Sequence, residues 1–190
     1  MLDNSINYIV SGLERSGTSM IMQVLSAAKI PIAYDKTRLA DNSNPKGYYE
    51  LEGGKIINRL LNKTFQFNRY KGTFIKITAY GLNFLPTGKY EIIYIERNID
   101  EVLDSMEQMA KIVDKDRFKT KNAFINLNKQ IKLKLEARKD IKYLIVNYNE
   151  ILKNPFIHFK KIQEFLLLPE SSIKAMVEVI DKKLYRQRRN

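Results

Sequence analysis

Asn7-Tyr8-Ile9-Val10 reads as a short apolar strand that runs straight into Ser11-Gly12-Leu13-Glu14-Arg15-Ser16-Gly17-Thr18-Ser19. After this, Met20, Ile21, Val24, Leu25 and Ala28 recur at helical spacing, so the unit is strand, glycine loop, helix. Working outward, Thr73–Thr78 (TFIKIT) and Glu91–Ile95 (EIIYI) are β-branched and aromatic, hence strands. Ile141–Val146 (IKYLIV) is a continuous apolar run of the kind found in buried parallel strands. Pro31-Ile32-Ala33 offers one more short strand, and Asp35–Gly47, rich in Asp, Asn and Pro, reads as a surface loop. Helices are expected around Ile56–Leu61, over Asp100–Val113 and over Phe118–Lys139, with two more after the last strand, broken near Pro169, and then a basic tail. Strands alternating with helices imply a parallel sheet covered on both faces. The expectation is one α/β domain over residues 1–190: three layers, α/β/α, with a central parallel sheet.

The composition narrows the chemistry. The chain has 190 residues with 33 Lys+Arg against 21 Asp+Glu, a formal charge of +12, which points to a polyanionic partner. There is no cysteine, which excludes disulfides, thiolate metal sites and a cysteine nucleophile, and the one histidine, His158, excludes most zinc sites. No metal site is expected. No apolar run approaches the roughly 18 residues that span a bilayer, and the N-terminus lacks the basic residues of a signal peptide. A soluble, cytoplasmic protein with no membrane partner is the expectation. Nucleic acid is set aside as a partner because no motif of basic residues interleaved with exposed aromatics is visible.

Ligands of open parallel sheets bind beyond the carboxyl ends of the strands. A glycine loop there, opening into a helix, aims backbone N–H groups and the positive helix end at an anion. Gly12-x4-Gly17-Thr18-Ser19 has the spacing of a phosphate loop, but Thr18 stands where a lysine would reach the β- and γ-phosphates, and Arg15 supplies a cation three residues earlier. The loop therefore suits a single phosphate beside another anionic group; the competing reading is an ordinary tight turn.

Glu14-Arg15-Ser16-Gly17-Thr18-Ser19 resembles the 5′-phosphosulfate motif of the sulfotransferases. Arg97-Asn98-Ile99-Asp100-Glu101-Val102-Leu103-Asp104-Ser105 resembles their 3′-phosphate motif, with Ile99 in place of the usual proline. An arginine at a strand end and a serine about a turn and a half into the next helix can share one phosphate; a surface arginine and a capped helix is the alternative. Tyr148-Asn149-Glu150-Ile151-Leu152-Lys153-Asn154-Pro155 through Leu166 is a third similarity, mostly of packing residues. The likeness runs nearly end to end and is greatest to short bacterial members. It implies the P-loop NTPase-like fold of that family and the donor 3′-phosphoadenosine 5′-phosphosulfate, PAPS. It also implies a cofactor-binding set of Arg15, Ser16, Gly17, Thr18, Ser19, Arg97 and Ser105, with Arg15 on the bridging or sulfuryl oxygens and Thr18 and Ser19 on the 5′-phosphate.

Sulfuryl transfer, like phosphoryl transfer, rests on positioning and charge stabilisation. Arg15 and Lys76 are the candidate catalytic cations, although Lys76 also reads as a solvated strand-end lysine. The histidine that many cytosolic relatives place two residues after that lysine is Thr78 here, and His158 reads as structural, so the base must be a carboxylate. Asn44-Pro45-Lys46-Gly47-Tyr48-Tyr49-Glu50 resembles a stretch of bacterial sulfotransferases and implies Glu50; Glu52 is the rival, and a helix N-terminal glutamate the plain alternative. The acceptor, a small molecule or glycan, is undetermined; Tyr48, Tyr49, Phe65, Phe67, Tyr70 and Tyr80 offer an apolar pocket or simply core. Arg186 is the choice within the tail for closing over the 3′-phosphate, against an exposed tail. A kinase using ATP and Mg²⁺ is the rival function.

Overall fold

The computed structural model describes residues 2–181, 183, 185 and 189. Four parallel strands form one sheet in the order β2-β1-β3-β4: β1 (Asn7–Gly12), β2 (Phe74–Thr78), β3 (Tyr90–Glu96) and β4 (Ile141–Asn147). The helices are α1 (Thr18–Ala27), α2 (Ile56–Leu61), α3 (Ile99–Ala110), α4 (Arg117–Ala137), α5 (Tyr148–Lys153), α6 (Pro155–Phe165) and α7 (Ser172–Glu178), with short 3-10 turns at Glu52–Gly54, Phe67–Tyr70 and Ala79–Phe84.

Strand side chains alternate between two cores, as the period of two requires. Tyr8, Val10, Phe74, Ile93 and Ile95 face a cluster completed by α1, α5, α6 and α7, whereas Ile9, Ile75, Ile77, Ile92 and Tyr94 face one completed by α2 and α4. Helices therefore cover both faces, the three layers expected. Ile9, Ile92, Ile93 and Ile95 are wholly buried, each removal from water contributing about 1.5–3 kcal/mol. Lys76 shares the parity of Phe74, so its side chain is delivered to the α1 face.

Three differences from the sequence expectation have a local cause. Pro31–Ala33 shrinks to one parallel bridge, Ile32 to Phe74, since Pro31 has no N–H to extend the ladder. Lys111, at φ 55, turns α3 off three residues early and leaves Ile112 and Val113 exposed. After β4 there are three helices rather than two: Pro155 starts α6 at its first position, and Asn154 before it is held out of the helical region (φ −133). Parallel register brings Gly12, Thr78 and Ile95 level, so the carboxyl ends of three strands open on one edge.

Candidate active site

The loop between β1 and α1 stands at that edge. Gly17 caps α1 with φ 106, and a Cβ there would collide with the Tyr148 ring. Helix α1 has no side-chain cap and no acidic residue in its first turn, so its leading N–H groups point outward without a resident acceptor. Ser16 is buried, and both its N–H (3.2 Å) and its hydroxyl (2.7 Å) donate to the Leu13 carbonyl; it braces the loop from within. Gly17→Ala is expected to cost about 1–2 kcal/mol from the left-handed backbone alone. That lowers the melting midpoint by roughly 2–8 °C on calorimetry, more once the Tyr148 ring is displaced; an unchanged midpoint would contradict the crowding.

Arg97, just past β3, lies largely buried over the Tyr148 ring, 4.7 Å from its centroid. Its Nε donates to Glu101 Oε2 (3.0 Å) and its Nη1 to the Arg15 carbonyl (3.1 Å), so it braces the phosphate loop from below. Burial pushes the Glu101 carboxyl up, but hydrogen bonds from the Tyr185 hydroxyl, the Arg189 N–H, Arg97 and Asn149 outweigh it and hold the group below its ordinary value of 4.5. A carboxyl lowered in the folded state contributes stability in full above the unfolded value, and that contribution is lost as pH falls through the folded one. The melting midpoint should therefore fall more steeply below about pH 4.5 in the natural chain than in Glu101→Gln, when melting is followed against pH. Parallel slopes would remove Glu101 as the cause.

The buried hydroxyl of Ser105, two turns along α3, accepts from Arg15 Nε (2.9 Å), and Arg15 Nη2 donates to the Ser43 carbonyl (3.1 Å). Ser105 thus meets Arg15, while Arg97 reaches the backbone of the same loop. Arg15 itself adopts φ 64, a left-handed conformation uncommon away from glycine.

The third group comes from β2 and the segment before α2. Lys76 is buried rather than solvated. Its Nζ donates to the Tyr48 carbonyl (2.6 Å) and to Ser19 Oγ (3.2 Å) and pairs with Glu50 Oε1 (2.9 Å). Burial pushes the Lys76 ammonium down, and the Glu50 carboxylate opposes that shift. Glu50 Oε2 pairs with Arg38 Nη1 (3.2 Å), whose guanidinium lies 3.5 Å from the centroid of the Tyr48 ring. Tyr49 (φ 55) and Glu52 (φ 53) flank Glu50 in left-handed conformations, so this turn is held against its local preference by its surroundings. Glu52 points away, onto Arg59 (2.6 Å).

All three groups line one cleft of about 400 Å³, which includes Arg15, Gly17, Thr18, Ser19, Glu50, Lys76, Arg97 and Ser105. A domain model described as "Sulfotransferase domain" matches residues 6–189. The chain belongs to the sulfotransferase family. The fold is similar to that of mouse sulfotransferase SULT7A1 complexed with PAP, at 17% identity and TM-score 0.54, covering 96% of this chain and 66% of that one. It is also similar to the sulfotransferase domain of the Synechococcus PCC 7002 olefin synthase, at 14% identity and TM-score 0.55, covering 98% and 84%. This chain thus spans just under two thirds of the mouse protein's length. No curated protein matches it in sequence.

The polar segment Asp35–Gly47 folds over the loop between β1 and α1. Asn44 Nδ2 donates to Ser19 Oγ (3.0 Å), beside the Ser43–Arg15 contact. Of the six aromatics considered for an apolar pocket, only Tyr48 lines the cleft. Tyr49 packs on Tyr34, Phe65 on Phe67 and Tyr70, and Tyr80 on Phe84, because each finds a ring neighbour elsewhere. Arg38 and Glu101 carry contacts that the sequence does not single out; the one available signal was their position inside the quoted loop and motif. Arg186 lies outside the described residues. His158 sits on α6 away from the cleft. Among the described residues no group of three or more metal-ligating side chains occurs, and no helix is long and apolar enough to cross a membrane.

Proposed function

We propose that this chain transfers the sulfuryl group of PAPS to a hydroxyl or amine of a small-molecule or glycan acceptor. One observation carries the reading: an uncapped α1 N-terminus, Arg97, Ser105 and the Lys76–Glu50 pair line the same cleft. The N–H groups of Thr18 and Ser19, with Arg15, suit the 5′-phosphate and the oxygens next to it, where negative charge grows as the group departs. Arg97 and Ser105 suit the 3′-phosphate, which requires Arg15 to leave Ser105 and turn toward the sulfuryl oxygens. Thr18, in the place of the phosphate-loop lysine, fits a donor that carries one phosphate at that point.

The transfer is an in-line displacement. The new S–O bond forms to the acceptor oxygen as the S–O bond to the 5′-phosphate breaks, leaving adenosine 3′,5′-bisphosphate. Glu50 takes the acceptor's proton, and Lys76, beside Ser19 and Glu50, stabilises the oxygens between acceptor and donor.

Calorimetric titration tests this reading. Adenosine 3′,5′-bisphosphate should bind without added metal and tighter than AMP. Preference for ATP with Mg²⁺ would overturn it in favour of a kinase.

A further inference from the structure

Resting on that reading, we infer that the acceptor is anionic: a hydroxyl compound that carries a carboxylate, phosphate or sulfate near the reacting oxygen, held by Lys55 and Arg38. Beyond Glu50 the cleft is walled by Gly53, Gly54, Lys55 and Asn58, by Arg38, and by Gln108 of α3. Ile57 and Met109 add apolar surface to this wall, but the aromatics that would make a slot for a flat apolar acceptor pack elsewhere.

Its charge is unbalanced. The carboxylate of Glu50 faces two cations, Lys76 at 2.9 Å and Arg38 at 3.2 Å, and Asp41 offsets part of the charge of Arg38. Lys55 is exposed at the start of α2, and its ammonium has no partner among the described residues. The groups suited to the donor's phosphates lie on the other side of this pair, since Lys76 meets Ser19 of α1 at 3.2 Å while Arg38 and Gly54 sit against the far oxygen of Glu50. A Cβ at Gly54 would stand only 2.9 Å from Glu50 Oε2, so only bare backbone fits against that oxygen. A neutral acceptor would leave the surplus charge without a use. An anionic one places its own charge on Lys55 and the exposed side of Arg38 and its hydroxyl against Glu50, a complementarity that favours one class of acceptor over its neutral isostere.

The test uses the full chain with labelled PAPS and three matched acceptors: glucose, glucuronate and glucose 6-phosphate. Donor binding is read separately, by titration with adenosine 3′,5′-bisphosphate, so a chain that fails there refutes the proposed function rather than this inference. With donor binding intact, kcat/KM for at least one anionic sugar should exceed that for glucose by about tenfold or more, and the anion preferred, carboxylate or phosphate, names the group recognised. The advantage should shrink as salt rises. Lys55→Glu should raise the KM for the preferred anion on the order of tenfold, and Lys55→Gln by less, with the affinity for adenosine 3′,5′-bisphosphate unchanged. Glucose accepted as well as either anion, sulfation of none of the three, or a Lys55→Glu loss shared equally by glucose would each overturn the inference.

Discussion

Glu50→Gln is expected to lower turnover by about 10²–10⁴-fold while adenosine 3′,5′-bisphosphate binds as before, because general-base catalysis typically supplies an effect of that size. The amide keeps the shape of the carboxylate but cannot take a proton. The donor contacts assigned to the α1 N-terminus, Arg97 and Ser105 do not pass through it. Lys76 keeps the Tyr48 carbonyl and Ser19 Oγ as partners, so the strand end stays organised. The change does remove the charge that offsets a buried ammonium. Lys76, already pushed down by burial, then loses its proton more readily, and a melting scan beside the kinetics separates lost chemistry from lost fold. The control is Glu52→Gln. Its carboxylate lies on Arg59, outside the cleft, and at most an exposed pair worth under about 1 kcal/mol is lost. If Glu52→Gln is the dead enzyme, or Glu50→Gln turns over normally, the assignment of the base fails.

The second large effect is at Arg97. Arg97→Met should weaken adenosine 3′,5′-bisphosphate by about 10- to 100-fold and AMP hardly at all, since a charge-assisted hydrogen bond is worth about 1.5–3 kcal/mol and every 1.4 kcal/mol is tenfold. The single variant carries a second cost. Glu101 is fully buried, and removing the arginine at 3.0 Å leaves a carboxylate without its cation; breaking such a pair typically costs about 3–5 kcal/mol. Arg97→Met with Glu101→Gln should recover much of the lost melting midpoint, because a neutral amide needs no cation. It should not recover affinity for the 3′-phosphate. Equal loss of both nucleotides in the stable double variant would mean that Arg97 braces the loop through the Arg15 carbonyl and does not read the phosphate.

How Glu101 holds Arg97 marks where sequence reading stops. The four-residue separation of Arg97 and Glu101 is legible, although Arg97 lies before the first residue of α3. That this pair is buried is not, because burial comes from Tyr148 and Tyr185, which arrive from much later in the chain. Lys76 is a similar case. Strand parity puts it on the face of Phe74, but its solvated reading fails because Tyr48 and Glu50 come over it from a segment whose path no local pattern prescribes. The aromatics misled for the same reason: ring spacing along the chain does not say which ring meets which.

The sequence alone determined the β1–loop–α1 unit and the four strands, because alternation, helical spacing and glycine positions are properties of a few consecutive residues. The tertiary structure decided the rest. The parallel order β2-β1-β3-β4 brings the ends of β1, β2 and β3 to one edge, where the segment from Arg38 to Glu50 closes over them. Lys76, Glu50 and Arg38 thereby become one charged cluster. Ion pairs between residues far apart in the chain depend on the route of the backbone between them, and that route is settled by burial on the two faces of the sheet.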